Sequence, residues 1–213
     1  MTALDRLIAR PGLVEQDHVD VAVPASRAWD AIRQLDLAAS SFPRALIAVR
    51  TLPNRLAGEH VEMHVRLDDL VSSPAKPGFQ IFVDDPPREL AAGAIGKVWR
   101  LRIPFIHLAN AEAFAAFAEP DFIKVAWAIR VVPLGARHAR VEVEVRVQAT
   151  DAAAWRKFRR YFRIIGPGSH FIRRTALARI ARELGTATPA DEQEAVTRLE
   201  DPAERAGDGG SSC

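Results

Sequence analysis

The residues of this chain best suited to chemistry are few and far apart. Glu89, in "PPREL", is a carboxylate inside a β-like run, and Tyr161 is the single tyrosine. A carboxyl group held out of water keeps its proton to higher pH and serves as a proton acceptor or ligand anchor; a phenol reaching the same space would join it in proton transfer. Glu89 and Tyr161 are therefore the candidate catalytic groups, although nothing local ties one to the other. His107 and His170 stand alone and read as surface or internally satisfied histidines. "HVEMH" sets His60 and His64 on one face of a helix, and His60, Glu62 and His64 on one face of a strand. A zinc hydrolase needs Glu directly after the first His as general base, and Val61 occupies that place, so no metal is expected. There is no GxGxxG, Walker loop, GxSxG or Cys/His dyad, and no cofactor is implied. The single cysteine, Cys213, is the last residue, which excludes a CxxC site and an intrachain disulfide.

The densest charge lies in "DAAAWRKFRRYFRIIGPGSHFIRRTALARIARELG", residues 151–185. Arg156, Lys157, Arg159, Arg160, Arg163, Arg173, Arg174, Arg179 and Arg182 follow one another with no acid between them. Such a run is either a basic surface for nucleic acid or membrane, or the polar back of a helix. Trp155, Phe158, Phe162 and Ile165 recur at spacings of three, four and three, a core-facing stripe. Burying each of those side chains stabilises by roughly 1.5–3 kcal/mol, and phosphate contacts would leave the stripe unexplained. The segment reads as a core helix with a solvated arginine back, and no stable nucleic-acid partner is expected. Gly166–Pro167–Gly168 should break or kink it. Ser169 would then recap the chain, and Ile172, Leu177, Ile180 and Leu184 would resume the apolar face.

The elements that must position these residues follow from periodicity. "DHVDVAVPA" alternates Val19, Val21 and Val23 with polar residues, a strand with one buried face. Ser26 caps a short helix whose inward stripe is Trp29, Ile32 and Leu35. "SSFPRALIAVRTLP" reads as a second helix from Ser41, while 58–73 fits both periods. "GFQIFVDDPPRELAAGAIGKVWRLRI" reads as a strand, a turn over Asp84–Pro87 and one or two further strands. Trp99 is placed in one of these, and Gly93 and Gly96 mark a bulge or a close backbone approach. "NAEAFAAFAEP" is a short helix or loop. "FIKVAWAIRVV" and "ARVEVEVRVQA" then alternate almost without error around a Pro/Gly turn, a long antiparallel hairpin. Glu144 and Arg146 fall on its polar phase and read as a solvated face with cross-strand pairs worth about 0.2–1 kcal/mol. Thr150 or Asp151 caps the last helix.

Length and composition suit one domain with extensions: 213 residues, 48% hydrophobic, formal net charge +2. The near-neutral total hides a basic body and an acidic end. Residues 186–213 carry Asp191, Glu192, Glu194, Glu200, Asp201, Glu204 and Asp208 and no aromatic residue, and read as a disordered tail. "MTALDRLIARPG" has no signal-peptide core, and no run approaches the ~18 apolar residues of a membrane span. A soluble, cytoplasmic chain is expected. It divides into an extension over 1–14, a domain over 15–185 and the acidic tail.

The order of elements, with "VDVAVPASRAWDAI", "PPRELAAGAIGKVWRL" and "FAAFAEPDFIKVAWAIRVVP…VEVEVRVQATDAAAWRKFRRYFRIIGPGSHFIRR", resembles the START/polyketide-cyclase-like (SRPBCC) superfamily, and within it a bacterial branch. The likeness covers roughly residues 15–185. It implies an α+β helix-grip fold: a curved antiparallel β-sheet wrapped around a long C-terminal helix, with a cavity between them. It implies binding, with transport or sequestration, of a hydrophobic or amphipathic small molecule such as a lipid or aromatic polyketide. Inward positions would line the cavity: Trp99, Trp127, Ile129 and Val143 from the sheet, Phe158, Tyr161 and Phe162 from the helix. The alternative within the superfamily is a cyclase or aromatase using Glu89 or Tyr161. Outside it, the alternative is peripheral membrane or nucleic-acid contact through the arginine-rich helix. One departure stands out: such proteins commonly carry Gly where this chain has Asp121.

Overall fold

The computed structural model describes residues 1–34, 73–75, 77–100 and 103–186. The expected helix from Ser41, nearly all of the ambiguous 58–73 stretch, the His60/Glu62/His64 group and the chain beyond Thr186 lie outside the described residues. In chain order the elements are α1 (Ala3–Leu7), β1 (Leu13–Val21), α2 (Ala25–Gln34), β2 (Gln80–Asp85), β3 (Glu89–Gly96), β4 (Phe105–Ile106), α3 (Ala111–Ala116), β5 (Ile123–Pro133), β6 (Ala139–Ala149) and α4 (Ala152–Leu184). The architecture is α+β: a curved, fully antiparallel sheet in the order β1-β6-β5-β3-β2, with β4 on β3, and a long C-terminal helix across one face.

The β5–β6 hairpin forms as its alternation dictates. Trp127 pairs with Val145, Ile129 with Val143 and Val131 with Val141 on the α4 side, while Ala126 opposite Arg146, Ala128 opposite Glu144 and Arg130 opposite Glu142 share the other face. β1 joins β6 with Leu13, Glu15, Asp17, Val19 and Val21 in the α4-facing phase. Local chemistry sets the helix starts. Asp151 caps α4 by accepting from the Ala154 N–H at 2.8 Å, while Thr150 instead accepts from the Phe122 N–H at 3.1 Å. α2 begins at Ala25, one residue before the expected cap: the Pro24 carbonyl accepts from Ala28, which puts Ser26 in the first turn. Trp29 and Ile32 are buried as their spacing requires.

Two expectations need correction. First, α4 is helical through Pro167, over 33 residues, with Ser169 mid-helix and not at a new start. Proline removes one backbone donor, here the one that would reach Arg163, at about 3 kcal/mol. Buried side chains on both sides, Ile165 before and Leu177 and Ile180 after, hold the two halves against the sheet and offset that loss.

Second, the Glu144/Arg146 face is not solvated. The first residues of the chain, set apart in sequence as an extension, cover it. α1 packs on α3, β5 and β3, and Leu4, Leu7 and Ile8 are fully buried with Phe114, Ile95 and Ala126. Glu144 is 4% exposed and holds two guanidinium groups, Arg130 at 2.9 Å and Arg146 at 2.6 Å. Arg146 also reaches Asp5 at 2.8 Å and donates to the Ile8 carbonyl at 3.2 Å. Gly93 does mark a close approach, since a Cβ there would sit 3.0 Å from the Phe114 ring; the bulge lies in β2, between Ile81 and Val83.

Candidate functional site

α4 lies beside β1 along its length, from Trp155, against which Gly12 packs, to Gly185, whose carbonyl accepts from the Ala22 N–H at 3.1 Å. A Cβ on Gly12 would stand 2.9 Å from the Trp155 indole, so only glycine lets the start of β1 come this near the helix. The first half of α4 carries a ladder of rings. Trp155 and Phe158 stack with centroids 5.4 Å apart, and Phe158 and Phe162 with centroids 5.2 Å apart. Their spacing of three and four places all three on one helix stripe.

A groove of about 420 Å³ opens between this ladder and the beginning of β1. Leu13, Trp155, Phe158 and Phe162 form its apolar lining, and Arg156, Arg159, Arg160 and Arg163 its cationic one. Its volume suits a small organic ligand. Farther along α4, Arg173 closes the helix–sheet space with charge. Its guanidinium lies 2.5 Å from Glu15 and 2.7 Å from Asp17, both on the α4-facing phase of β1, and its side chain is 3% exposed. Periodicity alone had assigned Arg173 to the polar back of the helix; the structure turns it inward. The signal was present, because 173 continues the stripe 158-162-165 and precedes Leu177 by four residues, and Glu15 and Asp17 share the phase of Val19 and Val21.

Of the seven residues expected to line a cavity, Phe158 and Phe162 line this groove, and the other five belong to adjoining hydrophobic clusters. Trp99, Trp127, Tyr161 and Phe162 pack, partly buried, around a cluster containing Ile123, Val145, Val147 and the buried Phe158. Ile129 and Val143 belong to the neighbouring cluster with Leu177 and Ile180, and Trp127 touches both. Trp99 is not in a strand: β3 ends at Gly96, and Trp99 sits in the turn that follows, with the Lys157 ammonium 5.4 Å from its ring centre. Glu89 is elsewhere. It is on the α1 side of the sheet, where both carboxylate oxygens accept from the Ala3 N–H at 3.2 Å. The sheet thus separates Glu89 from Tyr161, and the two do not form an acid–base pair.

At the head of α4, Asp121 adopts φ +70°, the left-handed region that favours glycine and that Asp tolerates better than most residues. It keeps a carboxylate there to bind Lys157 at 2.5 Å and Lys97 at 2.9 Å, and these two contacts hold its pKa below the ordinary carboxylate range. Its N–H donates to Asp151, whose pKa is lowered first by the Ala154 N–H and next by this one. Among the described residues no three His, Cys, Asp or Glu side chains converge as a metal site, and no helix is long and apolar enough to cross a membrane.

What sequence reasoning missed is the groove wall itself. Gly12 and Leu13 lie before the recognisable strand, and the arginines at 156, 159, 160 and 163 read as solvated.

No protein-family model matches the chain, and no curated protein does. Solved structures with a similar outline include truncated norcoclaurine synthase from Thalictrum flavum, 14% identical, covering 82% of this chain and 95% of that one with a TM-score of 0.41. A protein of Deinococcus radiodurans is 19% identical over 71% of this chain and 95% of its own, TM-score 0.30. A conserved protein of Geobacillus kaustophilus is 10% identical over 78% and 96%, TM-score 0.31.

Proposed function

We propose that this chain binds a hydrophobic or amphipathic small molecule between α4 and the sheet, and so carries or sequesters it. The observation behind this reading is the groove of about 420 Å³ with Leu13, Trp155, Phe158 and Phe162 on its lining. Open space beside stacked aromatic rings favours an apolar guest, because filling it removes that surface from water. Five of the seven side chains that the resemblance assigns to the ligand gather around the adjoining cluster. The cyclase alternative lacks such support, since its carboxylate and its phenol stand on opposite sides of the sheet.

Native mass spectrometry of purified protein, followed by a thermal-shift panel of fatty acids, sterols, phospholipids and aromatic polyketides, tests the proposal. Copurification or a ligand-dependent rise in Tm is expected, because a ligand of the native state must stabilise it. Gly12→Val, which thrusts a side chain against Trp155, should abolish that rise. If no compound copurifies or shifts Tm, the reading fails.

A second reading, peripheral membrane contact, has one observation in its favour. Ile164 and Phe171 are 78% and 70% exposed, two turns apart on one face of α4, with exposed Arg160, Arg163 and Arg174 nearby. Cosedimentation with phosphatidylglycerol vesicles that falls with salt and with Ile164→Ser/Phe171→Ser would support it. Equal sedimentation with neutral vesicles would not.

A further inference from the structure

The four arginines of the groove contrast with the arginines that this fold pairs; Arg137 and Arg174 also lack a carboxylate partner among the described residues, but they do not line the groove. Arg130 and Arg146 share Glu144, Arg140 binds Asp20 at 2.7 Å, Arg173 binds Glu15 and Asp17, and Arg179 binds Glu183 one turn away. Arg156, Arg159, Arg160 and Arg163 have no carboxylate partner among the described residues, and they stand within two turns of one another. At spacings of three and four they repel one another along the helix surface. They also occupy the stripe next to Trp155, Phe158 and Phe162, so one groove has an apolar wall and a guanidinium wall.

We propose that this groove selects amphipaths ending in an anion, a carboxylate or a phosphate, with the chain or ring system on the Leu13–Trp155–Phe158–Phe162 side and the anion among the four guanidinium groups. The inference rests on the binding reading above and adds the class of ligand. A purely neutral guest would leave the cationic wall solvated and gain nothing from it. An anion would relieve the mutual repulsion and accept the paired N–H donors that guanidinium presents in a fixed fork. Partial exposure of the wall leaves the head near water, which suits a group too costly to bury outright.

The test compares three probes with the same twelve-carbon chain, dodecanoate, dodecyl phosphate and dodecanol, with inorganic phosphate as a fourth, by titration calorimetry on the full chain. Dodecanoate and dodecyl phosphate should bind about tenfold or more tightly than dodecanol, and only the anions should weaken as salt rises. Arg159→Gln/Arg160→Gln/Arg163→Gln should erase the preference of the groove for the anions over dodecanol. These side chains are exposed, so an unchanged Tm without ligand confirms that the variant folds. Equal affinity for dodecanol and dodecanoate overturns the inference and leaves the binding reading standing. Inorganic phosphate binding as tightly as dodecyl phosphate overturns it as well, because the arginines would then form a bare anion site. If none of the four probes binds while another neutral compound of the wider panel does, the anion preference is wrong. If nothing binds at all, both readings fall.

Discussion

The two faces of the sheet handle charge differently. On the α1 side, Glu144 is enclosed with Arg130 and Arg146, and the N-terminal helix lies over them with Asp5 and the Ile8 carbonyl supplying further acceptors. On the α4 side, Arg173 makes one compact bridge to Glu15 and Asp17, yet farther toward the start of the same helix four arginines have no acidic partner among the described residues and stand beside an apolar groove. Glu144 and Arg173, which packing removes from water, are matched by opposite charges, since an unmatched buried charge is far costlier than an exposed one. The buried Lys124 ammonium donates instead to the Ala115 carbonyl at 2.7 Å. On the α4 side the proposed ligand would meet open volume beside four arginines that have no carboxylate partner among the described residues.

This contrast can be broken at several points, the largest effect first. Glu144→Leu should destabilise by about 3–4 kcal/mol, because it removes the buried acceptor that two guanidinium groups share and leaves Arg130 only Glu142 and Arg146 only Asp5 and the Ile8 carbonyl. Urea denaturation measures this, and a loss below about 1 kcal/mol would mean that the outer network behaves as a solvated one. Arg173→Met should cost about 3 kcal/mol, the low end of that range, because Glu15 and Asp17 keep 19% and 17% of their side chains exposed. Adding Glu15→Gln and Asp17→Asn should recover part of the loss, and additive losses would contradict the bridge.

Trp155→Ala should cost less stability, about 1–2 kcal/mol for a half-buried ring, but weaken any groove ligand about tenfold. Ligand affinity left unchanged would move the guest away from the ring ladder. Acid should loosen the α1 side. The Thr2 N–H, then Arg146, hold Asp5 at about 2 against an ordinary 3.8. Its contribution is therefore complete above 3.8 and is lost as pH falls toward 2, so amide exchange in residues 3–8 should accelerate across that interval. Asp5→Asn should flatten this dependence. Arg33→Ala removes an exposed pair with Asp84 at 3.0 Å and should change stability by no more than about 0.5 kcal/mol.

Much of the fold was legible because its signals are local. The Val141–Val147 alternation places the four inward valines of β6, and the three-four spacing from Trp155 to Ile165 identifies the sheet-facing stripe of α4. Asp151 is a cap by residue type and position. Asp121 was visible as a departure from the Gly that the resemblance led us to expect, and its φ of +70° fits a position that favours glycine. The break expected at Pro167 does not form, because the penalty of one lost hydrogen bond is local, whereas the packing that outweighs it lies on the sheet. Glu89 suggested chemistry as an acid within a strand, but whether it faces Tyr161 or the N-terminus of α1 depends on which side of the sheet each residue occupies.

Sequence alone determined the β5–β6 hairpin, the amphipathic last helix and the concentration of arginine along it, because backbone hydrogen bonding imposes periods of two and 3.6 residues that side-chain chemistry must follow. Tertiary structure decided which charges are buried. Glu144 and Arg173 look like surface residues until Ile8 and Glu15, more than a hundred positions away in the chain, are brought against them. It also decided where the groove opens, since that depends on a glycine at 12 meeting an indole at 155. Exposure to water is set by whatever covers a side chain, and the cover here comes from distant segments that no local spacing specifies.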